Sequence, residues 1–94
     1  MPAAFEWDPR KASRNESKHG VTFEEASSVF SDPLARVVDD PRGPAGEPRL
    51  IILGHSRKFR LLAVMFTERG ERIRVISARL VTRAERKDYE ENRR

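Results

Sequence analysis

Cysteine is absent from this 94-residue sequence, and histidine occurs only twice. Without cysteine there is no disulfide scaffold and no thiolate zinc site, and the composition fits a reducing cytoplasm. Long apolar runs are also missing. The longest, Leu61-Leu62-Ala63-Val64-Met65-Phe66, is far too short to span a bilayer. The opening MPAAFEWDPR has no basic segment followed by a hydrophobic stretch, so no signal peptide is expected. His19 and His55 are isolated, and the carboxylate pairs Glu24-Glu25 and Asp39-Asp40 lack metal-holding patterns. No glycine-rich phosphate loop, nucleophile elbow, internal repeat or low-complexity tract occurs. No metal or cofactor is therefore expected, and metal-assisted or covalent hydrolysis is disfavoured.

What the sequence has is arginine. Net charge is +4, and 15 of the 19 cations are arginine. Residues 1–47 carry 6 cations against 9 acids, whereas residues 48–94 carry 13 against 6. The guanidinium group is shaped for bidentate phosphate contact, so a polyanion such as nucleic acid fits this bias. A solvated basic surface is the plainer alternative.

One domain spanning residues 1–94 is expected at this length. Phe5-Glu6-Trp7 reads as a short extended piece. Asp8-Pro9 supplies an N-cap and a first-turn proline for a helix that runs to His19 and stops at Gly20. Thr22-Phe23-Glu24-Glu25 fits a capping box, and Phe23, Ala26, Val29 and Phe30 follow at helical spacing until Asp32-Pro33. The period then changes. Strands are expected over Leu34–Val38, Arg49–Gly54, Phe59–Glu68 and Arg72–Leu80, with the loop DDPRGPAGEPR after the first and a turn at Arg69-Gly70-Glu71. Thr82-Arg83-Ala84-Glu85 opens a last helix to about Glu91. The expected fold is α+β: two N-terminal helices, an antiparallel sheet of about four strands and a C-terminal helix, with the helices on one face.

The first helix is unusually polar. Ala12 is its one apolar residue besides proline, so Trp7, Val21 and side-chain stems must hold it. Lys11, Asn15 and Lys18 fall on one stripe, with His19 beside it. A second basic group, His55, Arg57, Lys58 and Arg60, gathers at the turn between the second and third strands. Arg72 and Arg74 sit on the next strand. Strict alternation places Arg74 and Arg79 on opposite faces unless a bulge or the strand end intervenes.

Such a set can cleave RNA without metal. The RNA's own 2′-hydroxyl attacks phosphorus, arginines stabilise the phosphorane, and two groups exchange protons. Imidazole ionises nearest neutral pH, which makes His19 the natural acid or base. Equally, a histidine in the last turn of a helix can simply hydrogen-bond the final carbonyls.

The stretches FEWDPRKASRNESKHGVTFEEASSVFSDP and ILGHSRKFRLLAVMFTERGERIRVISARLVTRAERKDYE resemble the BrnT toxins of type II toxin–antitoxin modules. The likeness runs from Phe5 to about Glu90 and matches at Trp7, Lys11, Asn15, Lys18, His19, Glu25, Arg74, Arg79 and Tyr89. The loop DDPRGPAGEPR is richer in proline and glycine than the family pattern, without touching a motif residue. The resemblance implies a RelE-like fold and a cytoplasmic, metal-independent endoribonuclease that blocks translation. It also implies a BrnA-type antitoxin, which neutralises the toxin and brings the complex to operator DNA. RelE-like toxins mostly use sheet arginines and lysines with a tyrosine near the C-terminus, which here implies Arg60, Arg74, Arg79 and Tyr89. With His19 and Lys18 as proton carriers, the expected catalytic residues are Arg74, Arg79, His19, Lys18 and Tyr89, and Arg60 would assist at the phosphate. Arg74 and Arg79 would hold the scissile phosphate, His19 or Lys18 would exchange protons, and Tyr89 would position RNA. Lys11, Arg57, Lys58, Arg60 and Arg72 would bind the RNA. Two alternatives compete: a non-catalytic nucleic-acid or antitoxin-binding module with a toxin-like fold, and a structural protein whose polar first helix docks a partner.

Overall fold

The computed structural model describes residues 4–42 and 48–92. The middle of the loop DDPRGPAGEPR, residues 43–47, lies outside the described residues. The element order is β1 (Ala4–Glu6), α1 (Pro9–His19), α2 (Phe23–Ser28) continued by a 3₁₀ turn (Val29–Ser31), β2 (Arg36–Asp40), β3 (Arg49–His55), β4 (Leu61–Arg69), β5 (Arg72–Leu80) and α3 (Arg83–Asn92).

The helix signals act as the sequence predicts. Asp8 accepts from the Arg10 N–H at 2.8 Å, and Gly20 closes α1 at φ 69°, donating to Glu16 O at 2.8 Å. The two capping boxes differ, however. At Thr82 both halves form: Glu85 N donates to Thr82 Oγ1, and Thr82 N donates to Glu85 Oε1. At Thr22 the hydroxyl caps Glu25 N at 3.0 Å, but the Glu25 carboxylate is drawn away to Arg60 and Ser56. A local motif lost here to a stronger tertiary partner.

The sheet has five strands in the order β1-β5-β4-β3-β2. Four are antiparallel neighbours, and β1 adds in parallel through Ala4↔Arg72 to Glu6↔Arg74. The extended FEW segment is thus part of the sheet, which makes it mixed. β2 begins two residues later than expected, because Asp32 Oδ1 and Asp32 O accept from Leu34 N and Ala35 N and hold those residues in a turn. Phe59 and Arg60 belong to the β3–β4 turn rather than to the strand.

The expectation that all helices share one face is corrected. Val21, Phe23, Ala26 and Val29 pack on Ile52, Leu62, Val64, Phe66, Val75 and Ala78. Tyr89 of α3 instead packs on Leu53, Leu61, Ala63 and Met65, the alternate positions of the same strands. The sheet is therefore covered on both faces, and each core closes over an opposite side of β3 and β4. At the far end of β3 the backbone approach is tight. A Cβ on Gly54 would lie 3.0 Å from Val29 Cγ1 and 3.1 Å from Asp32 Oδ2, which leaves Asp32 beside the strand end.

Candidate nucleic-acid interface

The strand arginines are arranged by a bulge. Met65 pairs with Ser77, but Phe66 pairs with Val75, so Ile76 is an extra residue in β5. Val75 and Ala78 then both enter the first core, and Arg72, Arg74, Ser77 and Arg79 share the other face. The bulge resolves the alternation problem that the sequence left open.

Each of the main arginines has a carboxylate. Arg74 meets Glu6 at 3.2 Å, and Arg72 lies 3.9 Å from the same side chain. Arg79 grips Glu85 bidentately at 2.7 and 3.0 Å and also donates to Leu80 O. Arg60 pairs bidentately with Glu25, a side chain only 1% exposed, and donates to Gly20 O at 3.0 Å. Hydrogen bonding to the opposing carboxylate raises the pKa of Arg60 and Arg79. The Arg60 guanidinium holds Glu25 below its ordinary range against the opposing effect of burial, and Ser56 adds a hydrogen bond. Arg79 does the same for Glu85, helped by Thr82. These arginines are charge-neutralised, and Arg60 in particular ties the β3–β4 turn to the end of α1.

Three cations along α1 lack such a partner. Lys11, Arg14 and Lys18 are exposed and make no ion pair or side-chain hydrogen bond among the described residues. With Asn15, His19, Ile76 and Ser77 they line an open groove of about 310 Å³ where α1 crosses β5. Asn15, on the same stripe as Lys11 and Lys18, has a different task. It is 7% exposed, and its Nδ2 donates to Val21 O and Ala78 O at 2.9 and 2.8 Å. Its Oδ1 accepts from Ala78 N at 3.0 Å. One amide thereby satisfies both backbone groups of Ala78 on the strand side that the short β1 does not reach. It also fixes α1 against β5, which explains how a helix with so little apolar surface is held. His19 makes no bond to the last-turn carbonyls; it is half-buried at the groove's end.

Tyr89 is placed elsewhere. Its hydroxyl donates to Asp32 Oδ2 at 2.8 Å, and His55 Nδ1 lies 3.1 Å from the same hydroxyl. Because the phenol proton goes to Asp32, the Tyr89 oxygen is left to accept from His55 Nδ1–H. Burial alone would raise the Asp32 pKa, but the N–H groups of His55 and Leu34 and the Tyr89 hydroxyl hold it below the ordinary range. The sequence signals for this cluster were present but local: Asp32-Pro33 reads as a helix stop and His55 as one more cation. The 57-residue separation of Asp32 and Tyr89 hides the rest.

Arg57, Lys58 and Phe59 occupy the tip of the β3–β4 turn, all exposed. Among the described residues no group of three or more His, Asp or Glu side chains is placed to hold a metal ion, and no helix is long and apolar enough to cross a membrane.

The sequence profile of the family described as ribonuclease toxin, BrnT, of type II toxin-antitoxin system matches residues 7–85. Among solved structures, the 1.1 Å crystal structure of the Brucella abortus ribonuclease toxin, BrnT, superposes with a TM-score of 0.65 at 27% identity. The match covers 86% of this chain and 99% of that one. No curated protein matches.

Proposed function

The chain belongs to the BrnT family of ribonuclease toxins of type II toxin–antitoxin systems, and from that premise we propose a metal-independent endoribonuclease that arrests translation by cutting RNA. The observation that carries this reading is the α1–β5 groove, where Lys11, Arg14 and Lys18 stand without carboxylate partners beside His19. A phosphate backbone supplies the missing counter-charge. His19 or Lys18 exchanges a proton with the 2′-hydroxyl or the leaving oxygen. The O2′–P bond forms and the P–O5′ bond breaks, which leaves a 2′,3′-cyclic phosphate and a 5′-hydroxyl. In this reading Arg74 and Arg79 reach the scissile phosphate by exchanging Glu6 and Glu85 for it. Tyr89, 2% exposed, acts through His55 rather than on RNA directly. Arg72, Arg57 and Lys58 add phosphate contacts, and Arg60 supports the turn that carries the last two. The partner is a BrnA-type antitoxin that holds the toxin inactive in the cytoplasm and carries the complex to operator DNA.

The pairing of Arg60, Arg74 and Arg79 with carboxylates favours one rival, a non-catalytic binding module. Purified protein incubated with RNA in excess EDTA separates the two. The enzyme reading expects cleavage with cyclic-phosphate ends, abolished in His19→Ala with Lys18→Ala. RNA that is bound yet stays intact at saturating protein leaves only the binding module.

A further inference from the structure

Phe59 is the most exposed large hydrophobic side chain among the described residues, at 88%. It also sits at φ 61°, a left-handed conformation that a bulky residue adopts only when its surroundings impose it. Glycine is the residue this backbone would favour.

The surroundings do impose it. Ser56 N donates to Arg60 O and Phe59 N donates to Ser56 O, which closes the turn. The Ser56 hydroxyl donates to buried Glu25 and accepts from Lys58 N, while Arg57 N donates to Ser28 Oγ. Arg60 clamps the turn's exit to the same Glu25. A rigid loop thus holds an aromatic ring out in solvent, with its backbone strained and no packing in return. Just before it in the turn, the side chains of Arg57 and Lys58 are exposed and have no ion pair among the described residues.

We propose that Phe59 is a stacking platform for an unpaired nucleobase, and that Arg57 and Lys58 hold backbone phosphate next to that base. An exposed aromatic ring beside two free cations offers both a stacking surface and phosphate contacts to single-stranded nucleic acid, and stacking tolerates any base because every base has a π-face. The turn backbone that carries the ring is already fixed by its hydrogen bonds, so little loop freedom is lost on binding. The identity of the nucleic acid as RNA rests on the ribonuclease reading above; the platform itself rests on the turn.

The test uses a fluorescein-labelled, single-stranded 2′-O-methyl RNA of about ten nucleotides, which binds without being cleaved. Phe59→Gly is expected to weaken binding roughly 5- to 150-fold, the range for losing one base stack. Its thermal midpoint is expected to be unchanged or raised, because glycine relaxes the left-handed backbone and little buried surface is lost. Phe59→Trp should keep affinity within about threefold and show indole fluorescence quenched on binding. Affinity for a duplex of the same sequence should not respond to Phe59→Gly. A Phe59→Gly protein that binds the single strand like wild type overturns the proposal. So does one that keeps RNA affinity but loses its complex with the antitoxin, which would assign the ring to a protein contact. A wild-type protein that neither binds nor cleaves single-stranded RNA removes the ribonuclease reading and this inference with it. A wild type that cleaves, with Phe59→Gly indistinguishable in binding, removes the platform alone.

Discussion

The α1 groove and the arginines of β5 and the β4 entry are both basic, yet they differ in what faces the charge. Along α1, Lys11, Arg14 and Lys18 meet water. Arg60, Arg74 and Arg79 each meet a carboxylate, and Glu25 is buried in doing so. A cation already paired stabilises the fold and meets an incoming phosphate only by giving up its carboxylate. A free one contributes little to stability and keeps its charge for a ligand. The count of basic residues therefore misleads; what matters is which cations still lack a partner.

The largest expected effect comes from breaking a paired site. Glu25→Ala strands Arg60 and Ser56 together and should lower unfolding free energy by about 3 kcal/mol in urea titration. Asn15→Ala leaves Ala78 N–H, Ala78 O and Val21 O without their partner, an expected loss of about 2 kcal/mol by the same measurement. On the free side, replacing Lys11, Arg14 and Lys18 together with alanine should leave stability nearly unchanged. The slope of log affinity for single-stranded RNA against log salt should fall by about 2, from roughly 0.7 per phosphate contact. A triple variant that loses stability instead would erase the distinction between the two regions.

The pH response sharpens the comparison further. Glu25, Glu85 and Asp32 are held below their ordinary values of 4.5 and 3.8, so the unfolded chain binds more protons across that range. Stability is then fully present above those values and drains as pH falls through them toward the folded-state pKa values. Melting curves between about pH 6 and 3 should show this, and Glu25→Gln should flatten the decline while lowering the plateau. The smallest effect is expected at Glu85→Gln. The Arg79–Glu85 pair is about a quarter exposed, so its loss should cost under about 1 kcal/mol. RNA affinity rising in that variant would convert Arg79 from a paired to a free cation and support its exchange onto phosphate.

The parts of this fold legible in the sequence are those specified locally. The caps at Asp8, Gly20, Thr22 and Thr82 and the β-branched runs of β3 to β5 each declare themselves within a few residues. The stripe of Lys11 and Lys18 beside His19 was legible for the same reason. The bulge at Ile76 was not, because it exists only in the offset between two strands. Nor were the partners of Arg60 and Tyr89, which lie 35 and 57 residues away. Glu25 shows the limit most clearly: its spacing from Thr22 spelled a capping box, and a long-range arginine outbid it.

Asn15 has a consequence beyond holding a helix. An uncovered strand side is where a second molecule can add its own strand and begin a chain of sheets. At Ala78 that opening is filled by a side chain from the same molecule, which presents an amide in the shape of a neighbouring peptide. A copy of the protein approaching there finds the ladder already ended, so one asparagine limits how far the sheet can grow.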